Sequence, residues 1–167
     1  MLYRSADNLE NGAISFVENN NEIILFSAYL TLDALKRLNN SGNIKQIIVR
    51  WGIEDLCKKV SDINLYHYCL ENHIVLYRNT RIHLKTFWNN NKSILFGSAN
   101  ITGKGIGERG DFNFELNGIV DDISFADQSY LNKIILESEY VTEHLYQKLK
   151  KSFKILSHLV KLIMVAL

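Results

Sequence analysis

Apolar residues follow one rhythm in the first half of this chain and another in the second. Leu9, Ala13, Phe16 and Val17 recur three or four apart between Asn8 and Asn19. That is the spacing of a helix with a single apolar face, and Asn19-Asn20-Asn21 ends it. Residues 23–29 form a nearly continuous apolar run, the mark of a strand buried on both sides. Leu32, Ala34, Leu35 and Leu38 predict a short helix opened by Thr31 as N-cap, and residues 39–43, with Gly42, predict a loop. A second buried strand is expected over 44–51, around Ile47-Ile48-Val49. Across 55–72, Leu56, Val60, Ile63, Tyr66 or His67, and Leu70 keep helical spacing, and 74–77 predict a third strand. Strands alternating with helices point to an α/β domain with a largely parallel sheet.

After residue 80 the rhythm changes. Residues 82–88 and 93–96 predict two strands joined by Asn89-Asn90-Asn91-Lys92, a link short enough for a hairpin. Residues 103–110 hold four glycines and predict a flexible loop. Residues 111–120 alternate as a further strand, and from about 123 the chain reads as helical to its end. No internal repeat, linker or low-complexity tract interrupts it. The expectation is one domain over 1–167, with a core at 8–120 and a C-terminal helical segment at 123–167.

Composition narrows this picture only a little. Apolar residues at 47% and charged residues at 22% are ordinary for a globular protein, and a net charge of +1 gives no overall basic field. A local basic site remains compatible with that balance, because a groove needs only a few placed cations. Cys57 and Cys69, twelve apart, fit no metal or redox motif and read as buried thiols in a reducing compartment. No stretch reaches the roughly 18 apolar residues of a membrane span, and the N-terminus lacks a signal-like apolar core. The chain therefore reads as soluble and cytoplasmic.

The chemistry concentrates in Arg81-Ile82-His83-Leu84-Lys85 and in Gly97-Ser98-Ala99-Asn100. Residues two apart in a strand share a face, so His83 and Lys85 project together, as do Ser98 and Asn100, and later Asn113 and Glu115. If the hairpin pairs these strands, one nucleophile or base and several donors converge at one end of the sheet. Such a set suits a phosphate: ammonium and amide donors stabilise a pentacoordinate transition state, and an imidazole oriented by a carboxylate can attack phosphorus. Glu115 is the obvious carboxylate. The set holds too few carboxylates for a two-metal phosphodiesterase, so the reading is metal-free phosphoryl chemistry with no cofactor.

The spacing resembles the phospholipase D signature: His, any residue, Lys, four residues, Asp, six residues, Gly, Ser, any residue, Asn. Here it runs His83, Lys85, Asn90, Gly97, Ser98, Asn100, with every gap matched and Asn90 standing where the signature has Asp. In that family the aspartate supports the motif rather than doing chemistry. Asn113-Phe114-Glu115 resembles the Asn-x-Glu segment of the family's small bacterial nucleases. Ser27-Ala28-Tyr29-Leu30-Thr31, Arg50-Trp51 and Ser61-Asp62 are also similar to these domains, so the resemblance covers residues 8–120.

The resemblance implies an α-β-α sandwich with a central mixed, largely parallel sheet flanked by helices. Because the chain has one motif where the family's site uses two, it also implies a homodimer through the active-site face. His83 of one subunit is then the nucleophile that forms a phosphohistidine, and His83 of the other protonates the leaving oxygen. Lys85, Ser98 and Asn100 hold the phosphate, and Glu115 orients His83. The implied activity is a metal-independent endonuclease acting on DNA, since small bacterial members are nucleases and several restriction endonucleases use such a domain. Two other readings fit the same residues: a lipid phosphodiesterase, and a non-catalytic nucleic-acid-binding module in which Asn90 marks a decayed site.

Outside the motif, the 103–110 loop with Lys104 and Arg109 reads equally as a backbone contact or a plain loop. Arg50 and Arg81 carry less signal, and His67, His73, His144 and His158 read as packing or surface residues. The apolar tail at 159–167 is expected to pack on the core, to enter the dimer or to continue into further chain, rather than to enter a membrane.

Overall fold

A computed structural model describes residues 1–107 and 112–165, with side chains described as far as Leu159. In chain order the elements are β1 (Leu2–Arg4), α1 (Leu9–Glu18), β2 (Ile23–Ser27), α2 (Leu32–Leu38), β3 (Ile44–Val49), α3 (Ile53–Cys57), α4 (Leu65–Glu71) and β4 (Val75–Arg78). There follow β5 (Lys85–Trp88), β6 (Ile94–Gly97), α5 (Gly103–Ile106), β7 (Leu116–Val120), α6 (Phe125–Leu136), β8 (Glu139–Tyr140) and α7 (Glu143–Val165). The strands form one eight-stranded mixed sheet in the order β1-β7-β6-β5-β2-β3-β4-β8.

Parallel pairing is confined to β2–β3 and β3–β4. The remaining neighbours pair antiparallel. The expected mixed sheet is therefore present, but its parallel part is the minority. The cause lies in the connections: α2 and the α3–α4 segment are helical crossovers, which parallel neighbours need, whereas β5 and β6 are joined by a short turn that forces reversal.

The two faces of the sheet are covered unequally. On one, Leu25, Ile47, Phe87 and Leu95 pack with Phe16, Val17, Leu35, Leu38, Leu65 and Tyr146 from the helices in one large core. On the other, Ile24, Phe26, Ile48 and Trp88 are covered by α6, chiefly through Leu131. The register places Leu2, Gly118 and Phe96 in one row with Thr86 and Phe26, and Val120 and Ile94 in the next with Trp88 and Ile24. On that second face Ile94 is partly buried against the smaller core, whereas Phe96 at 44%, Leu116 at 51%, Val120 at 44% and Leu2 at 64% stay exposed.

Several expected elements are corrected. The helix expected over 55–72 is two short helices. Lys59 takes a left-handed φ of 57°, and the chain between α3 and α4 leaves the helix to dock on the segment after β2. There the buried Ser61 Oγ accepts from Leu30 N (3.3 Å), Asp62 N–H donates to Leu30 O (3.2 Å) and Trp51 Nε1 donates to Asp62 O (2.9 Å). The helical segment expected after 123 is two helices, α6 and α7, with β8 between them edging β4, and Ser138 turns back to bond the Ile134 carbonyl (2.6 Å). The strands expected from 82 and from 111 begin at Lys85 and Leu116. Part of the glycine-rich loop is the short α5, capped by Thr102 Oγ1 accepting from Gly105 N (3.2 Å). Arg109, Gly110 and the end of the tail lie outside the described residues. Ile155 and Leu159 on α7 are exposed.

Candidate active site

His83, Lys85, Ser98, Asn100 and Glu115 lie around one end of the central strands. Ser27, the last residue of β2, is paired with both Lys85 and Val49, so the start of β5 and the ends of β2 and β3 lie side by side. Gly97 closes β6 opposite Asn117, which brings Ser98 and Glu115 to the same end. The carboxyl ends of parallel strands are where open α/β sheets bind ligands.

Lys85 is the unusual member. Its residue is only 8% exposed, yet it carries a cation. The ammonium donates to the His83 carbonyl (2.8 Å) and lies 3.1 Å from Nδ1 and 3.3 Å from Nε2 of the same imidazole. Burial pulls the Lys85 proton affinity below the usual lysine range; the Glu115 charge opposes that shift and the Arg50 cation adds to it. His83 precedes β5 and is exposed, so its ring is open to solvent above a buried cation. Ile82 beneath it is buried.

Ser98 and Glu115 form a second group. Ser98 Oγ donates to Glu115 Oε2 and accepts from Leu116 N (3.1 Å). Asn113 Nδ2 donates to Glu115 Oε1 (3.3 Å), and Glu115 N donates to Ser5 Oγ (2.8 Å). Both carboxylate oxygens of Glu115 are thus engaged by Ser98 and Asn113 within the chain. β7 approaches β6 so closely here that a Cβ on Gly97 would lie 2.3 Å from Leu116 O and 2.5 Å from Asn117 Oδ1. The glycine of the motif is required by that contact.

Asn100 is fixed from β2. The Tyr29 backbone N–H donates to Asn100 Oδ1 (3.2 Å). A backbone N–H can only donate, so the amide oxygen must face Tyr29 and the NH2 group is left to face another acceptor. Ser27, fully buried at the end of an apolar strand, donates to the Tyr29 carbonyl (2.5 Å) and accepts from Ile101 N (3.4 Å). Ser27 and Tyr29 as supports of Asn100 went unidentified in the sequence; the signal was a lone hydroxyl closing a run of apolar residues.

Asn90 is elsewhere. It sits in the turn beyond the far end of β5, with φ 65°. Lys104 lies in α5, where its carbonyl accepts from Asn113 N (2.9 Å). Arg81 pairs with Glu137, the residue that caps the end of α6. Between them and His83 opens a cleft of about 480 Å3, also lined by Leu84, Tyr130 and Lys133. Of the other histidines, His67 Nε2 meets the Tyr146 hydroxyl (3.0 Å) in the packing of α4 against α7. Among the described residues no group of three or more His, Cys, Asp or Glu is placed to hold a metal ion. No described helix is long and apolar enough to cross a membrane.

Comparison with known proteins bears on the fold. No family model matches the chain, and no curated protein matches it in sequence. Among solved structures, the phospholipase D family member Nuc from Salmonella typhimurium aligns with a TM-score of 0.60 at 15% identity, over 86% of this chain and 99% of that one. NucT from Helicobacter pylori aligns with a TM-score of 0.61 at 18% identity, over 84% of this chain and 98% of that one. TrmBL2, an archaeal chromatin protein whose structure shows a mode of DNA binding, aligns with a TM-score of 0.52 at 13% identity, over 84% of this chain and 53% of that one. The chain shares their fold: a central mixed sheet flanked by helices.

Proposed function

We propose that the chain is a metal-independent phosphodiesterase of the phospholipase D type, an endonuclease acting on DNA. The observation that carries this reading is the meeting of a solvent-open imidazole, a buried lysine, and serine and asparagine donors at one sheet edge. A buried ammonium is costly unless an anion completes it, and a phosphate oxygen is such an anion. The fold is shared with Nuc and NucT, and with TrmBL2, which binds DNA.

In this reading an imidazole nitrogen of His83 attacks phosphorus. The P–N bond forms as the P–O bond to the leaving group breaks, and a second acid protonates the departing oxygen. Lys85 offsets the charge of the equatorial oxygens and the Asn100 amide donates to them, Ser98 joins them by turning its hydroxyl from Glu115 to the phosphate, and water then cleaves the phosphohistidine. The cleft beside His83 gives room for the group attached to the phosphate.

The second acid is His83 of a second copy, which makes the active unit a homodimer closed over the active-site face. Glu115 is assigned to orient a histidine; its hydrogen bonds to Ser98 and Asn113 hold it rigid for that role. The exposed apolar patch of Leu2, Phe96, Leu116 and Val120 supports the dimer, because an apolar sheet face of this kind needs a cover.

Cleavage of plasmid and single-stranded DNA in excess EDTA, comparing wild type with His83→Ala, tests the proposal. Cutting by wild type alone, with a loss of at least about 1,000-fold in the variant, is the expected result. Intact DNA in both would overturn the nuclease, and turnover of phosphatidylcholine in its place would move the substrate to lipid diesters. Sedimentation of wild type against Phe96→Glu tests the dimer, which the charge is expected to split.

A further inference from the structure

The last residue of β3 is Val49, level with Ser27 and so one strand removed from Lys85. Arg50 follows it. Its guanidinium is gripped by Asp55 through two bonds, Nε to Oδ2 (2.8 Å) and Nη2 to Oδ1 (2.5 Å). Asp55 is buried and also accepts from Gly52 N (3.1 Å), which ties the start of α3 to the same carboxylate. A planar fork held at both ends has little freedom left, unlike a lysine on its flexible stem. Its guanidinium carbon lies over the Tyr29 ring, 4.6 Å from the centroid.

Tyr29 is the residue whose backbone N–H fixes the Asn100 amide, and Ser27 holds its carbonyl. A chain of contacts thus runs from Asp55 through Arg50 and the Tyr29 ring to Asn100. A tie between β3 and α3 alone requires only the Arg50–Asp55 pair; it has no need of the ring, nor of a cation one strand away from a buried lysine.

We propose that Arg50 is a positioning residue for this site: clamped by Asp55 and laid against Tyr29, it fixes the turn that sets the Asn100 amide and adds a second cation beside Lys85. The inference rests on the phosphodiesterase reading for its kinetic arm and on the charge geometry alone for its spectroscopic arm. The nearby cation favours loss of the Lys85 proton, so removing it returns that proton affinity towards the ordinary lysine value.

The experiment uses bis(p-nitrophenyl) phosphate as substrate, with pH profiles for wild type, Arg50→Gln and Arg50→Lys. Arg50→Gln is expected to lower kcat about tenfold with KM changed less than about twofold, because the misplaced amide acts in the transition state. The alkaline limb, set by loss of the Lys85 proton, is expected to move to higher pH. Arg50→Lys keeps the charge but not the two-bond grip of Asp55 that holds the guanidinium over the ring. It should keep the limb where the wild type has it while kcat stays reduced, and it serves if the glutamine variant folds poorly.

A limb that stays put in Arg50→Gln, with activity falling only as folded protein is lost, overturns the proposal. If the wild type leaves the substrate intact, the phosphodiesterase reading falls by itself. The Lys85 ammonium titration, followed by NMR in wild type and Arg50→Gln, then decides the charge link: movement upward supports it and an unmoved titration overturns it.

Discussion

The β5–β6 hairpin ends in two different ways. At the open end Lys85 lies buried against the His83 ring, and a register that sets Thr86 opposite Phe96 brings Lys85 level with Gly97. At the turn, Asn89 works as a knot: Oδ1 accepts from Lys92 N (2.9 Å) and Ser93 N (3.0 Å), while Nδ2 donates to Asn20 Oδ1 (2.8 Å) and Ser93 Oγ (3.1 Å). One end holds a buried cation, and the other satisfies its own polar groups. A single spaced motif spans both. Its gaps record the arm length of a hairpin as much as the membership of a site.

The sharpest way to break this contrast is at Lys85. Lys85→Met keeps the length of the side chain and removes the cation. The expected result is a loss of about 1,000-fold in diester turnover, with stability unchanged or raised, since burial of the charge is what the fold bears for function. Equal losses of activity and stability would mean that the lysine is a structural group. Next in size is Gly97→Ala. The added methyl has no room against β7, so about 3 kcal/mol of stability should go, read by urea unfolding. Asn89→Ala at the turn should cost about 2 kcal/mol, as its backbone donors lose their acceptor, while turnover per folded molecule stays unchanged.

The contrast also separates what was legible in the sequence from what was not. Buried strands were readable because β2 and β3 each carry an unbroken apolar run, Ile23 to Phe26 and Ile47 to Val49, and the hairpin because its link is short and rich in Asn. The parity argument for the site assumed strand at His83, Ser98, Asn100 and Glu115, whereas these residues lie just beyond the ends of β5, β6 and β7. The helix over 55–72 failed for a physical reason: periodicity reports which residues are buried, and Leu56, Leu65 and Tyr66 are buried whether or not the backbone between them is helical. What broke that helix is a tertiary demand, Ser61 and Asp62 bonding the segment after β2. The supports of Asn100 were unreadable for a similar cause. Ser27, Tyr29 and Asn100 are brought together by sheet order, and the spacing between them carries no period. Strands as short as β1 and β8 offer too few residues for any pattern, and they exist because β7 and β4 present edges to pair with.

The smallest expected effect is the most pointed. Asn90→Asp restores the residue that the phospholipase D signature carries, and it does so at the turn rather than at the site edge. Residue 90 is exposed and takes φ 65°, a left-handed conformation that Asn and Asp both accept more readily than other side chains. Stability should therefore change by no more than about 0.5 kcal/mol, and diester turnover by less than about twofold. The added charge lies beyond the far end of β5 from Lys85, with solvent to screen it. A variant that gained activity tenfold or more would carry the opposite lesson: the turn would be coupled to the site through β5, and the asparagine would mark a weakened enzyme. An unchanged variant leaves the aspartate of the signature as one solution to a tight turn, for which asparagine is another.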